Sequence, residues 1–528
     1  MQRRRVCQMV TPALLKRTIL VSSARRSSSR LSNVNVSGAG AYPAALLDEP
    51  THRIGIRRRP WEQAILESCA ARKQVRVSLD AVLDVSTGER PWRSSFGKAN
   101  PEVQPGAEPE FARPACNSYA SDAEIRKMAE GQLQSAQYLH RELPVRLAHA
   151  VAALDEMKDT GLTDTPHVAR VREDYLQSFR ELQETQRPHD RDQVAAFTET
   201  VGRVQALGDD TVLLMACGLQ ELLRGVAEEE RAGLERVQDF LDEFYQNRVA
   251  MRFLCGHYLA LSAPPREGFV GLVQRGVSLT EIAQRAAVEA ASICCHALGA
   301  CPEIRMSVDR AGDGLVAAVP EYVHYVVLEL LKNAMRATMQ THGGGGNGGG
   351  AAAPATEMDV AGEEDARVKQ RAGCGDGGGD GDDDAGGQAR APIVFATNVP
   401  AVNISVKTYG AEDVMLVVAD KGGGIPTDAT DKVWSYLYTT AGEAVKKSYL
   451  ANGGNAKSKP APLAGLGYGL PLSRLYARNF GGELKLDTMA GQGTNATLRL
   501  SRRGTRLEPL VWPKATDGFD ELYSHVHL

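Results

Sequence analysis

Apolar positions recur at helical spacing through the first half of the chain. Leu139, Leu143, Leu147 and Val151 are each four apart and share one helical face. Leu213, Leu214, Leu219, Leu222 and Leu223 form a second stripe. Leu234, Val237, Phe240, Leu241 and Phe244 form a third, continued by Val249, Phe253 and Leu254. Helices with one apolar stripe bury it against each other, which predicts a helical bundle over 116–275. From 276 the period changes. A helix is expected at 279–298, a strand at Ile304–Val308 and a helix at 320–340. Alternating positions then predict strands at 401–408 and 413–419, a helix at 468–479, and strands at 483–488 and 494–500. Interleaved helices and strands imply an α/β sandwich. The expected fold class is therefore α + α/β, with an N-terminal helical bundle followed by the sandwich, here 276–505.

Composition adds the ends and the gaps. The chain has 528 residues, room for about two to four domains. Lys and Arg number 61 against 65 Asp and Glu, a balance that argues for no nucleic-acid partner. No apolar run reaches the roughly 18 residues of a membrane span. Nine cysteines are too sparse for a disulfide scaffold. Residues 1–47 carry Arg and Ser but no acid before Asp48, the composition of a mitochondrial transit peptide. Residues 48–115, rich in Pro and Arg, are expected to be poorly ordered. Residues 342–392 hold 16 of the 52 glycines together with acidic blocks, which predicts a disordered insertion looped out of the sandwich. Residues 506–528 form a C-terminal tail.

Three motifs carry chemistry. The first is Glu329-Leu330-Leu331-Lys332-Asn333-Ala334-Met335-Arg336-Ala337-Thr338. On a helix, Glu329 and Asn333 share a face and Arg336 lies a turn further on. A carboxylate that takes a proton, an amide oxygen that ligates Mg²⁺ and an arginine near phosphate make chemical sense together. The second, Asp420-Lys421-Gly422-Gly423-Gly424, follows an apolar strand. Its acid can accept from an adenine amino group, and its glycines allow backbone near a flat base. The third, Gly465-Leu466-Gly467-Tyr468-Gly469-Leu470, precedes a helix and would offer backbone N–H groups to phosphate. No Walker A lysine motif is present.

In this order the motifs resemble the ATPase superfamily of gyrase, heat-shock chaperone, histidine kinase and MutL. The wording of the first and third, with Glu142 to Ala148 and Arg248 to Leu254 upstream, is similar to the mitochondrial 2-oxo acid dehydrogenase kinases. The resemblance spans about 116–515 without the insertion. It implies a protein serine kinase whose sandwich is an ATP-binding domain of the histidine-kinase-like type. Glu329 would be the catalytic base and Asn333 the Mg²⁺ ligand. Arg336, Asp420, Gly422, Gly424, Thr439, Thr440 and residues 465–470 would contact ATP, under a lid formed by 426–464. The substrate would be a serine of the dehydrogenase component in the mitochondrial matrix, and its modification would switch the complex off. The bundle would dock a lipoyl domain of the acyltransferase core, and the protein would form a homodimer. Ser135 to Leu139 and Met339 to His342 lean toward the branched-chain kinase. Ala461 to Ala464 and the tail Leu507 to Ala515 lean toward the pyruvate kinase, which is favoured. Gly208 stands where the family has a histidine thought to lie near the base.

Other classes are weighed against this. A histidine kinase would use His140, which reads better as a surface helix residue, and His257 reads as structural. A catalytically silent scaffold would not need Glu329. A chaperone-like ATPase would need long downstream domains. Cys294, Cys295, His296 and Cys301 lack a second metal-binding pair and read as core thiols.

Overall fold

The computed structural model describes residues 60–89, 122–225, 234–308, 315–343, 393–410, 412–439, 467–509 and 511. The transit-like residues 1–47, nearly all of the Gly/Asp insertion and residues 440–466 lie outside the described residues. The bundle is built from α1 (Pro60–Ala70), α2 (Leu79–Ser86), α3 (Asp122–Glu156), α4 (Pro166–Glu184), α5 (Arg191–Leu207), α6 (Thr211–Gly225) and α7 (Glu235–Leu261). The Leu139 to Val151 stripe is at most 3% exposed and faces Phe179, Phe244 and Tyr258 in one apolar cluster.

Helices α1 and α2 correct the expectation of poor order over 60–89, while the rest of 48–115 lies outside the described residues. Leu66 and Cys69 of α1, then Val77, Leu79, Val82 and Leu83, drop into the bundle core. Those few apolar side chains at helical spacing outweigh the Pro- and Arg-rich surroundings. The tail also differs from a loose end. Glu508 N–H donates to Val77 O at 2.8 Å, and Val77 N–H donates to Glu508 Oε1 at 3.1 Å. Arg146 of α3 lies beneath, donating to Glu508 Oε1 at 2.6 Å and to Glu142 Oε1 at 3.0 Å. All three side chains are at most 3% exposed. The Val75 backbone gives its N–H to Glu142 and takes a bond from Arg146.

The sandwich follows as β1 (Phe269–Val270), β2 (Val273–Ser278), α8 (Leu279–Leu298), β3 (Ile304–Val308), β4 (Leu315–Ala318), α9 (Pro320–His342), β5 (Val402–Tyr409), β6 (Asp413–Ala419), α10 (Gly469–Asn479), β7 (Glu483–Met489) and β8 (Gly493–Ser501). A small sheet orders β1-β2-β4, and a five-stranded sheet orders β3-β5-β6-β8-β7. In the larger sheet β3 and β5 are parallel and the other neighbours antiparallel. Alternate residues Val402, Ile404, Val406, Val414, Leu416 and Val418 are at most 1% exposed and share a core with Ile282, Val327 and Leu331 of α8 and α9. Strands β1 and β2 begin before the expected boundary at 276. They were illegible because β1 is two residues long and the β2–β4 register shifts between Gln274 and Val277. Among the described residues, no helix is long and apolar enough to cross a membrane.

Candidate active site

Helix α9 buries Val323, Val326, Val327, Leu330, Leu331, Ala334 and Met335. That choice of face leaves Glu329, Asn333 and Arg336 half-buried on another side. Lys332 Nζ holds Glu329 Oε1 at 2.7 Å, and the two side chains are 8% and 17% exposed. Glu329 Oε2 lies against Gly469, the first residue of α10, where a side-chain carbon would have to displace the carboxylate. The first and third motifs therefore meet at a carboxylate and a helix N-terminus. Burial pulls the Arg336 guanidinium below its ordinary value, so a bound anion would offset a desolvation cost there.

The second motif closes the other side. Asp420 directly follows β6, and its Oδ1 accepts from Gly422 N–H at 2.8 Å. Burial raises its pKa, while the bonds from Gly422 and Thr494 oppose that shift. A carbon on Gly422 would stand 2.5 Å from Ala337 Cβ, so the loop lies directly on α9. The end of α9 ties the loop down: Thr341 Oγ1 donates to Gly422 O at 2.9 Å, and His342 Nε2 to Lys421 O at 2.8 Å. Ile425 N–H donates to Thr488 Oγ1 of β7 at 2.7 Å. Gly424, at φ +70°, abuts the Met489 carbonyl. Only glycine combines that backbone with that closeness.

At the third motif Gly467 has φ +91°, and a Cβ would stand 2.5 Å from Tyr438 O. Thr439 is thus brought against the glycine turn. Tyr468 is buried, and Leu470 is half-buried beside the sandwich core. Thr440, Gly465 and Leu466, with most of the expected lid, lie outside the described residues.

Gly208 caps α5 in the bundle, where its carbonyl accepts from Arg248 at 2.7 Å. One helical turn ahead of Glu329 stands Tyr325, against Tyr476. His140 is no open phosphoacceptor: its Nε2 bonds Thr185 O at 2.8 Å and its ring meets Phe197. His257 is buried on Ser86 at 2.9 Å. Cys294, Cys295 and Cys301 are buried thiols, with Cys294 and Cys295 bonding Ala300 O and Val394 O. Lys332, Thr341 and Thr488 were missed as site residues. Lys332 had a signal in its i, i+3 spacing from Glu329. The two threonines had none, since their partners are remote in sequence.

Comparison with known proteins decides the family. The family model of the mitochondrial branched-chain alpha-ketoacid dehydrogenase kinase matches residues 120–274. That of the histidine kinase-, DNA gyrase B- and HSP90-like ATPase matches residues 391–504. A mitochondrial pyruvate dehydrogenase (acetyl-transferring) kinase of Arabidopsis thaliana is 32% identical over 379 residues, 72% of this chain and 87% of its own length. The chain belongs to the mitochondrial 2-oxo acid dehydrogenase kinase family. Isozyme 4 of the pyruvate dehydrogenase kinase of Mus musculus is 29% identical over 69% of this chain and 75% of its own. Isozyme 1 of Rattus norvegicus is 28% identical over 78% and 83%. As a member of this family, the chain is an ATP-dependent kinase and mitochondrial.

Proposed function

We propose that the protein is a serine kinase that phosphorylates and inactivates the dehydrogenase component of the pyruvate dehydrogenase complex. The observation that carries this reading is the meeting of Glu329 Oε2 with the N-terminus of α10, on a chain whose relatives bear that kinase's name. A base beside a phosphate-binding helix end is the arrangement that transfer to a hydroxyl needs.

Each residue then has a task. Glu329 accepts the serine proton at Oε2, while Lys332 fixes Oε1 and so the direction of the free oxygen. Asp420 takes the adenine amino group, and Gly422 and Gly424 let the base approach. The backbone at Gly467, Tyr468, Gly469 and Leu470 faces the phosphates, with Thr439 alongside and Arg336 supplying positive charge. Asn333 would hold Mg²⁺. An amide oxygen one turn from a carboxylate suits a hard cation, which neutralises phosphate charge when bound. The lipoyl domain as docking partner of the bundle, the homodimer and the matrix location extend the family resemblance. The acid-free, Arg-rich 1–47 supports the last of these.

The test offers labelled ATP and Mg²⁺ to purified pyruvate and branched-chain dehydrogenase components side by side. Serine labelling of the pyruvate component is expected, and Glu329→Gln should abolish it while still binding ATP. Labelling confined to the branched-chain component would reassign the substrate. Labelling of neither, with ATP bound, would sink the kinase reading.

A further inference from the structure

We propose that Gln238, on bundle helix α7, positions the arm 434–439 against the glycine turn, so that the bundle sets how tightly nucleotide is held. This rests on the reading of Asp420 and the glycine turn as the ATP site. Three consecutive arm residues converge on the one side chain. Gln238 Oε1 accepts from Ser435 Oγ at 2.8 Å and from Tyr436 N–H at 3.0 Å, and its Nε2 reaches Trp434 O at 3.5 Å. Ser435 Oγ accepts in turn from Leu437 N–H at 3.1 Å.

The arm's own backbone bonds are local. Trp434, Ser435 and Tyr438 N–H groups bond Asp431, Lys432 and Ser435 carbonyls, three residues back. Such turns fix their shape but not their place, and Gln238 ties this one to a 27-residue helix. The same face of α7 carries Tyr245, two turns on. Its ring lies 5.1 Å from Tyr436 and 5.9 Å from Tyr468, and those two lie 5.1 Å apart. Arg474 of α10 lies over the Trp434 ring at 4.9 Å. The arm then delivers Tyr438 and Thr439 onto Gly467, where no Cβ fits. A shift at Gln238 therefore moves a wall of the glycine turn. The side chain touches no reacting atom, which makes it a positioning residue.

The test is nucleotide affinity and steady-state kinetics on the full chain. Gln238→Met removes acceptor and donor at similar volume, and Gln238→Glu keeps the acceptor. Loss of the three hydrogen bonds to the arm, the one to Trp434 O long and weak, predicts roughly ten-fold weaker ADP binding and a KM for ATP raised by about as much in Gln238→Met. Its kcat should stay within about two-fold, and Gln238→Glu should recover most of the affinity. Wild-type affinity in Gln238→Met, or a fall in kcat with KM unchanged, would overturn the proposal. Should Gln238→Met not fold, Ser435→Ala removes one of the same bonds from the arm, and wild-type ADP affinity there would overturn it equally. Asp420→Asn separates the two levels. If it too binds ADP normally, the site reading fails; if it loses ADP while Gln238→Met does not, only the present inference fails.

Discussion

Gly424 and Gly410 are both at positive φ, +70° and +62°, yet they differ in what surrounds them. An alanine at Gly410, in the β5–β6 hairpin, would meet nothing within 4 Å, so its cost is backbone strain of about 1–2 kcal/mol. At Gly424 the same methyl would run into the Met489 carbonyl, and the loop after Asp420 must move. Gly424→Ala is expected to weaken ATP binding by ten-fold or more, roughly the loss of one or two hydrogen bonds, whereas Gly410→Ala should leave it unchanged. Calorimetric titration of both variants checks this, and equal effects would remove the loop from the site. At this scale the sequence spoke clearly where chemistry follows spacing, as at Glu329 and Asn333 on one helix face. It was silent on Gln238 and Ser435, which meet across 197 positions and leave no local trace.

Helices were legible to within a few residues because long stripes average out local accidents. Leu279–Leu298 and Ile304–Val308 fall where the apolar pattern placed them. Helices α1 and α2 were hidden because each is short, 11 and 8 residues, and the segments that hold them, on α3, α7 and after β8, are remote in sequence. Two histidines sit in that junction. His149 of α3 donates from Nε2 to Ala70 O at 2.7 Å and accepts at Nδ1 from Gln74. His257 of α7 accepts at Nδ1 from Leu272 N–H, and its Nε2 faces Ser86 of α2. Burial lowers them to about 4 and about 3, from an ordinary 6.5. Both are neutral in the fold, so their contribution is complete above pH 6.5 and is lost as pH falls towards those values. At pH 5 each costs roughly 2 kcal/mol of stability. Urea midpoints should therefore drop between pH 7 and pH 5. His257→Gln should be weaker at pH 7 yet lose less on acidification. An unchanged midpoint between the two pH values would contradict the neutral assignment.

Across the whole molecule, the buried Glu142–Arg146–Glu508 cluster joins α3 to the segment after the sandwich. Its bonds to Val75 and Val77 leave its charges well partnered. Arg146→Met would strand two buried carboxylates and should destabilise by about 3–5 kcal/mol. Glu508→Ala leaves the Arg146–Glu142 pair intact and should cost about 1–3 kcal/mol. Chemical denaturation gives the order, and a milder Arg146→Met would refute it. The sequence marked Glu142 to Ala148 and the tail as separate stretches, but nothing in it pairs Arg146 with Glu508, 362 positions away.

That pairing has a bearing on how the protein is made. Val77 leaves the ribosome 431 residues ahead of its partner Glu508. Until then the bundle holds a buried arginine with one counter-charge and an extended segment with open backbone groups. Closure of so distant a contact is slow and comes late. A chain cut short before Glu508 keeps every bundle helix and every ATP-site motif, yet it cannot finish its core. Truncation ahead of Glu508 should therefore lower the stability of the bundle itself, although every residue lost lies beyond the sandwich.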